Sequence, residues 1–345
     1  MTTLNLGPAL SAALALTFAL ALTVGPAARA DTPKGDYADS AAGQKLIERL
    51  KREKNIPKAT TRKLLAEAKY KPGIIAKMRK PAEKTLTWAD YRPIFVQSKR
   101  ARQGAAYINA HRKLFEKAQA KYGVPAYMIA AILGVETRYG RYIGKDRVLD
   151  ALSTLAFDYP ERSTFFTKEL GEFIALCLKN KLDCTHDVGS YAGAMGLAQF
   201  MPSSYAAYAV DGNGDGRRDL WHEPADIIDS VANYLAQNGW QRGESIAQPA
   251  TLAKPKAIHD IHTSTRQPRY RWAKLKTKGV EVANSPPSDA RVGLLRFTGP
   301  HGPEYWLARH NFFVITTYNS SPLYAMAVYQ LGREIEAFTH PAVGS

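Results

Sequence analysis

A single carboxylate, Glu136, closes an otherwise apolar stretch, Ala126-Tyr-Met-Ile-Ala-Ala-Ile-Leu-Gly-Val-Glu136. At helical spacing Ile129, Ile132 and Leu133 share its face, lying seven, four and three residues earlier. Burial disfavours charge, so an acid on an apolar face holds its proton toward neutral pH, which is what general-acid chemistry needs. The alternative is structural: a Glu at a helix end paired with Arg138 or Arg141.

Two further segments bear on chemistry. Gly193 to Tyr205 mixes small residues with Met195, Gln199, Phe200 and Tyr205. Small residues let a backbone approach a ligand, while an amide and aromatic rings can hold sugars and their N-acetyl arms; tight helix packing would use the same small residues. Ser190 lies nearby, but Gly189-Ser190-Tyr191 lacks the spacing of a nucleophile elbow, which argues against a serine hydrolase. In Asp211-Gly-Asn-Gly-Asp-Gly-Arg-Arg-Asp219, oxygen ligands fall at loop positions one, three and five (Asp211, Asn213, Asp215), with glycine at six. The Arg217 carbonyl stands at seven and Asp219 at nine, as in a calcium loop. Position twelve is His222, so Glu223 or Asp226 must supply the late carboxylate and the loop is longer than an EF-hand's. A structural calcium ion is expected; a plain Asn/Gly/Asp turn is the alternative. No catalytic cofactor is implied.

The elements that must position these residues are mostly helical. Residues 31–123 read as basic helices, with Leu114, Phe115, Ala118 and Tyr122 on one stripe and Gly123 as a stop. Pro125 opens the segment that carries Glu136. Helical periodicity returns over 164–179, 226–238 and 324–338, whereas 271–282 and 291–297 alternate between Gly and Pro and read as strands. The expected class is α+β, mostly α, with a small β-rich part late in the chain.

At 345 residues the chain can bury a substantial core. Residues 1–30 hold an apolar run from Leu10 to Val24 and end in Ala28-Arg29-Ala30, which reads as a secretory signal cleaved before Asp31. No cysteine lies near that point for a lipid, so a soluble exported, periplasmic protein is expected. The formal charge is +16, and +15 once Arg29 leaves with the signal, an excess that favours polyanions. Export and the lack of zinc-finger or RNA-binding signatures argue against nucleic acid and point to peptidoglycan or acidic headgroups. The basic runs 51–54 and 274–278 also suit a solvated surface. Cys177 and Cys184, the two cysteines, suit a disulfide closing a short loop in an oxidising compartment.

Together, Gly134-Val-Glu-Thr-Arg-Tyr-Gly140, Gly193 to Tyr205, Ser230-Val-Ala-Asn-Tyr234, Asn311 to Asn319 and Tyr324-Ala-Met-Ala resemble, in order, the lytic murein transglycosylase B family. The resemblance runs from about Tyr91 to Gly332. It implies a lysozyme-like helical core, a helical N-terminal domain and a small β-rich domain. The division expected on that basis is 1–30 signal, 31–120 helical domain, 121–242 core with the calcium loop at 211–226, 243–304 β-rich domain and 305–345 helices returning to the core. It further implies Glu136 as sole acid/base, cleaving the N-acetylmuramic acid to N-acetylglucosamine bond of glycan strands to a 1,6-anhydro product. Carried over by position, Ser190, Gln199, Tyr234, Tyr318, Asn319 and Tyr324 match the groove, with Tyr91, Met195, Phe200 and Arg162 as sugar or peptide contacts. The implied calcium ligands are Asp211, Asn213, Asp215, Arg217, Asp219 and Asp226. Thr317 and Phe165 depart from the family, whose members often carry Arg and Tyr there. From the residues alone Asp146, Asp150 or Asp158 could be a second acid. A water-using muramidase and a non-catalytic wall-binding scaffold are the rival readings; proteins of wall synthesis or remodelling are conceivable partners that the sequence does not specify.

Overall fold

The computed structural model describes residues 35–79, 86–180, 182–253, 255–264 and 266–339; the expected signal, 1–30, lies outside them. In chain order the helices run α1 (Ala41–Lys54), α2 (Lys58–Glu67), α3 (Pro72–Met78), α4 (Trp88–Phe95), α5 (Ser98–Ala110), α6 (Arg112–Tyr122) and α7 (Ala126–Thr137). They continue as α8 (Val148–Phe157), α9 (Ser163–Asn180), α10 (Pro202–Tyr208), α11 (Pro224–Gln237), α12 (Trp272–Thr277), α13 (His310–Tyr318) and α14 (Pro322–Thr339). The strands are β1 (Asp146–Arg147), β2 (Val188–Gly189), β3 (Ala247–Leu252), β4 (Tyr270–Arg271), β5 (Val280–Val282), β6 (Arg291–Gly299) and β7 (Gly302–Ala308). Among the described residues no helix is long and apolar enough to cross a membrane. Two units share the chain, each built from two stretches: residues up to 79 with 140–230, and 86–139 with 231–339.

In the first unit Ser40 caps α1, its Oγ accepting from the Gly43 amide at 3.0 Å, and Leu46, Ile47 and Leu50 form the buried stripe. A Cβ on Gly43 would run into the Tyr37 carbonyl, so only glycine fits that turn. The α8 and α9 helices pack along each other, and α10 lies on α9. β1 pairs antiparallel with β2 through Asp146–Gly189 and Arg147–Val188. Cys177 and Cys184 are joined in a disulfide at the exit of α9.

In the second unit α5, α7 and α14 pack together, with α4 on α14 and α13 beside it. The sheet is antiparallel, in the order β4-β6-β7-β3-β5. One face buries Val280, Val292, Leu294 and Leu307 against Trp272, Leu275, Ile258 and Ile261. On the other, Phe297 meets Trp88 of α4, ring centroids 5.5 Å apart. Burying such a side chain contributes roughly 1.5–3 kcal/mol, so these two aromatics tie the sheet to its helices.

Two expectations change. The 271–282 stretch is not a strand: Trp272 and Leu275, three apart, face the sheet from helix α12, with only short strands at either end. Helical spacing outweighed the β-favouring residues there. The sheet also ends at Ala308, beyond the expected boundary at 304, because β7 pairs with β6 along its whole length.

Candidate active site

Glu136 sits in the last turn of α7 and is 1 % exposed. This helix is not amphipathic. Every residue from Met128 to Thr137 is buried, so the carboxyl is enclosed on all sides and not merely laid on one apolar face. The helix stops without glycine: Arg138 and Tyr139 both take left-handed conformations, φ 52° and 59°, and the Tyr139 amide donates to the Leu133 carbonyl at 3.2 Å. Each such residue costs roughly 1 kcal/mol, offset here by Tyr139, whose hydroxyl donates to the Arg100 carbonyl at 3.0 Å. A Cβ at Gly134 would strike that same Tyr139 ring.

The Tyr324 hydroxyl donates to Glu136 Oε1 at 2.6 Å. The structural alternative of an ion pair fails for Arg138, whose Nε donates to Gln103 at 3.2 Å instead. Burial pushes the Glu136 carboxyl up to about 8, the Tyr324 hydrogen bond opposing the rise. A neutral acid at neutral pH is the result.

Around it stand tyrosines delivered by α11, α13 and α14. Tyr234 and Tyr318 lie 4.7 Å apart between ring centroids, and Tyr318 stacks on Tyr324 at 6.4 Å with an 11° interplanar angle. The Tyr234 hydroxyl is fixed by donation to the Thr317 carbonyl at 2.6 Å. Asn319 follows α13, and its Oδ1 accepts from the Ser321 amide at 3.0 Å, which shapes the turn into α14. Tyr91, expected to touch sugar, is 0 % exposed and packed between Trp88 and Phe95.

The first unit holds the remaining expected contacts. Ser190 Oγ accepts from the Ala192 and Ala194 amides at 3.3 and 3.0 Å, a turn-forming role. Met195 bridges Gly189 and Phe200, and both Met195 and Phe200 are interior. Gln199 has φ 51°, and its Nε2 donates to Gly196 and Ile143 carbonyls at 2.8 and 3.2 Å. Its Oε1 is buried without a partner, a condition that a ligand donor would relieve. Arg162 lies over the Phe165 ring at 4.4 Å, on the wall of a groove of about 990 Å³ shared with Arg49, Glu53, Lys54 and Lys168.

The three possible second acids are otherwise engaged. Asp150 receives Arg147 at 2.6 and 3.1 Å and the Lys69 amide at 2.8 Å. Tyr37 donates to Asp158 at 2.7 Å, and Asp146 faces Lys77 at 3.7 Å.

The carboxylates of the calcium-type loop are engaged by its own amides, and among the described residues no three acids converge as a metal cluster. Asp211 accepts from the Gly214, Asp215 and Gly216 amides at 2.7, 3.1 and 2.8 Å. Gly214 and Gly216 sit at φ 82° and 84°, which only glycine takes without strain. Asp226, fully buried, accepts from Gly212 at 2.7 Å and Asp219 at 2.6 Å and so closes both ends of the loop. Glu223 instead accepts from the Ala225 amide at 3.1 Å as α11 begins. The donor set, carboxylates with an amide and carbonyl oxygens, suits a hard cation. Sequence spacing left Glu223 and Asp226 equal; only the fold separates them. Likewise nothing in the sequence pairs Tyr324 with Glu136, 188 residues apart.

Glu136 thus stands among tyrosines in a helical unit, and the other unit carries a loop whose donor types suit a hard cation. The chain belongs to the transglycosylase SLT domain family, whose model matches residues 39–333. It is 36 % identical to membrane-bound lytic murein transglycosylase B of Escherichia coli K12, over 87 % of this chain and 84 % of that one. The solved structure of catenated lytic transglycosylase SltB1 from Pseudomonas aeruginosa is similar at 41 % identity and TM-score 0.84, covering 88 % of this chain and all of that one. Escherichia coli lytic transglycosylase Slt35 in complex with calcium gives 35 % and 0.80 over 89 % and 96 %. Pseudomonas aeruginosa SltB3 in complex with NAG-anhNAM-pentapeptide gives 30 % and 0.74 over 86 % and 79 %. The mostly helical α+β fold with a lysozyme-like core is thus common to the group.

Proposed function

We propose that this chain is an exported peptidoglycan lytic transglycosylase in which Glu136 performs both proton transfers. The observation that carries the reading is a fully enclosed carboxyl, kept neutral near pH 7, whose Oε1 already accepts from Tyr324. With Oε1 so occupied, the proton rides on Oε2. From there it passes to the glycosidic oxygen between N-acetylmuramic acid and N-acetylglucosamine as the C1–O bond breaks. The resulting carboxylate, steadied by the Tyr324 hydroxyl, then removes the proton from the muramyl C6 hydroxyl as that oxygen bonds to C1. The 1,6-anhydro ring closes without water. A two-carboxylate glycosidase would need a nucleophile or base beside the acid, and Asp146, Asp150 and Asp158 are each committed to structural partners. The muramyl N-acetyl group can stabilise the cationic centre instead.

Tyr234, Tyr318, Asn319 and Tyr324 are assigned to glycan binding around the acid, and Ser190, Gln199 and Arg162 as further contacts. Tyr91, Met195 and Phe200 are assigned as further sugar or peptide contacts, buried to the same degree as Tyr324 and Ser190. Asp211, Asn213, Asp215, the Arg217 carbonyl, Asp219 and Asp226 would hold a structural calcium ion, a reading supported by their oxygen donor types and spacing and by the calcium complex of Slt35. Cleavage of a signal before Asp31 would release the chain as a soluble periplasmic protein.

The test is to digest purified sacculi with the mature protein and with Glu136→Gln and to analyse products by mass spectrometry. Anhydro-muropeptides from the parent alone are expected. Reducing ends would establish a hydrolytic muramidase, no release at all a scaffold, and equal activity of both proteins would remove Glu136 from the chemistry.

A further inference from the structure

The outer strand of the sheet carries an arrangement that the cleavage site does not use. β4 lies at one edge, and its Arg271 stands directly opposite Arg291 of β6. The neighbouring pair is Tyr270 with Val292, and Val292 is part of the sheet's buried core. Side chains alternate faces along a strand, so Arg271 and Arg291 both leave the sheet on the side away from that core. Like charges directly opposite in an antiparallel pair are destabilising. Both arginines are exposed, and among the described residues neither meets a carboxylate. Alongside, Gln267, Pro268, Arg269, Tyr270 and Arg291 line a recess of about 580 Å³ that contains no acid. Lys274 adds its ammonium 5.5 Å over the Tyr270 ring. Of the acids of the same region, Asp260 is bound by Lys278 at 3.0 Å, Glu281 is on β5 at the opposite edge, and exposed Asp289, two residues before Arg291 in the segment bonded to Trp272 and Ala273, forms no ion pair with either arginine.

We propose that Arg269, Arg271 and Arg291 form a docking site for the carboxylates of peptidoglycan stem peptides, separate from the cleavage site. The choice of ligand rests on the function proposed above. A carboxylate received between Arg271 and Arg291 turns their repulsion into two attractions, and the planar guanidinium fork fits a carboxylate in bidentate fashion. A glycan strand repeats its peptides, so a weak site of this kind holds the enzyme near its substrate by raising local concentration. The site is a tether and takes no part in bond breaking.

The experiment uses the full mature chain carrying Glu136→Gln, so that binding is measured without digestion, with and without Arg271→Ser and Arg291→Ser. Sedimentation with purified sacculi should show roughly tenfold weaker binding for the double arginine variant and a shallower dependence on salt. On sacculi whose peptide carboxylates have been amidated, the two proteins should bind equally. In the active background, the double variant should cleave short soluble glycan fragments at the parental rate and lose speed only on sacculi. An unchanged melting temperature, or a higher one, excludes misfolding as the cause. Equal binding of both proteins to untreated sacculi would overturn the site, as would loss of binding that persists on amidated sacculi. Loss confined to vesicles of phosphatidylcholine with phosphatidylglycerol would overturn it in favour of a lipid surface. Should the active parent release no anhydro sugars while the arginine-dependent binding holds, the catalytic reading fails and the docking site stands.

Discussion

Replacing Glu136 by Gln separates the acid's chemical role from its energetic cost. Gln has the same shape and keeps an oxygen to accept from Tyr324, but it never ionises. In the folded protein burial raises the carboxyl from 4.5 to about 8. Between those values the unfolded chain has released its proton and the native chain has not, so the native state binds more protons and unfolding free energy falls as pH rises. This group's contribution is therefore at its maximum below pH 4.5 and is lost by the time pH passes about 8. The span corresponds to at most about 5 kcal/mol, since each pH unit is worth about 1.4 kcal/mol. Urea denaturation of parent and variant from pH 4 to 9 reads the difference directly, other titrating groups cancelling between them. The two should be equally stable at pH 4, and Glu136→Gln should become progressively the more stable toward pH 9. If Glu136 supplies both acid and base catalysis, as proposed, turnover of sacculi should fall at least about a thousandfold throughout. A stability difference that stays flat with pH, or a variant weaker at pH 9, would refute the claim that the carboxyl is buried and neutral.

Two other outcomes are expected. Tyr324→Phe removes the hydrogen bond that opposes the rise in the Glu136 pKa; the alkaline limb of the kcat/KM profile should move upward in pH, with kcat lower by roughly tenfold. Calcium in hundredfold excess over its Kd should stabilise the parent by about 2.7 kcal/mol, read as a rise in Tm that chelator reverses, while Asp226→Asn should show little or none.

The sequence made the helices legible because they carry strong periodicity and clear stops: Gly123 ends α6, and α9, α11 and α14 fall close to their expected spans. Strands were harder to see. The Trp272 to Thr277 run is rich in residues that suit either state, and β3 and β7 are short and interrupted by Pro249 and Pro303. Of the site, Glu136 stood out because a carboxyl in so apolar a window is rare. Its enclosure was legible as well, because the window has no polar face and a helix apolar all round is buried on every side, although the reading of periodicity placed the acid on one face only. The Tyr324 contact and the choice of Asp226 over Glu223 are products of long-range packing and local capping, and neither leaves a trace in spacing. Tyr91, Met195 and Phe200 are as buried as Tyr324, Ser190 and Asn319, so burial does not separate sugar contacts from packing, and residue type does not either.

The acid and its partner come from opposite halves of the chain, and this bears on when the enzyme can become dangerous. Glu136 belongs to a unit whose other stretch, 231–339, is made after the first 230 residues, and Tyr324 lies in the last of the described helices. During synthesis the first 230 residues can emerge while the helix carrying Glu136 has neither α14 to pack against nor a hydroxyl to hold its carboxyl. An open, solvated Glu136 would ionise at neutral pH and have no proton to give. On the role proposed for Glu136, a chain stopped anywhere before Tyr324 keeps the residue but loses the hydroxyl that holds its carboxyl, however much of the α7 segment survives.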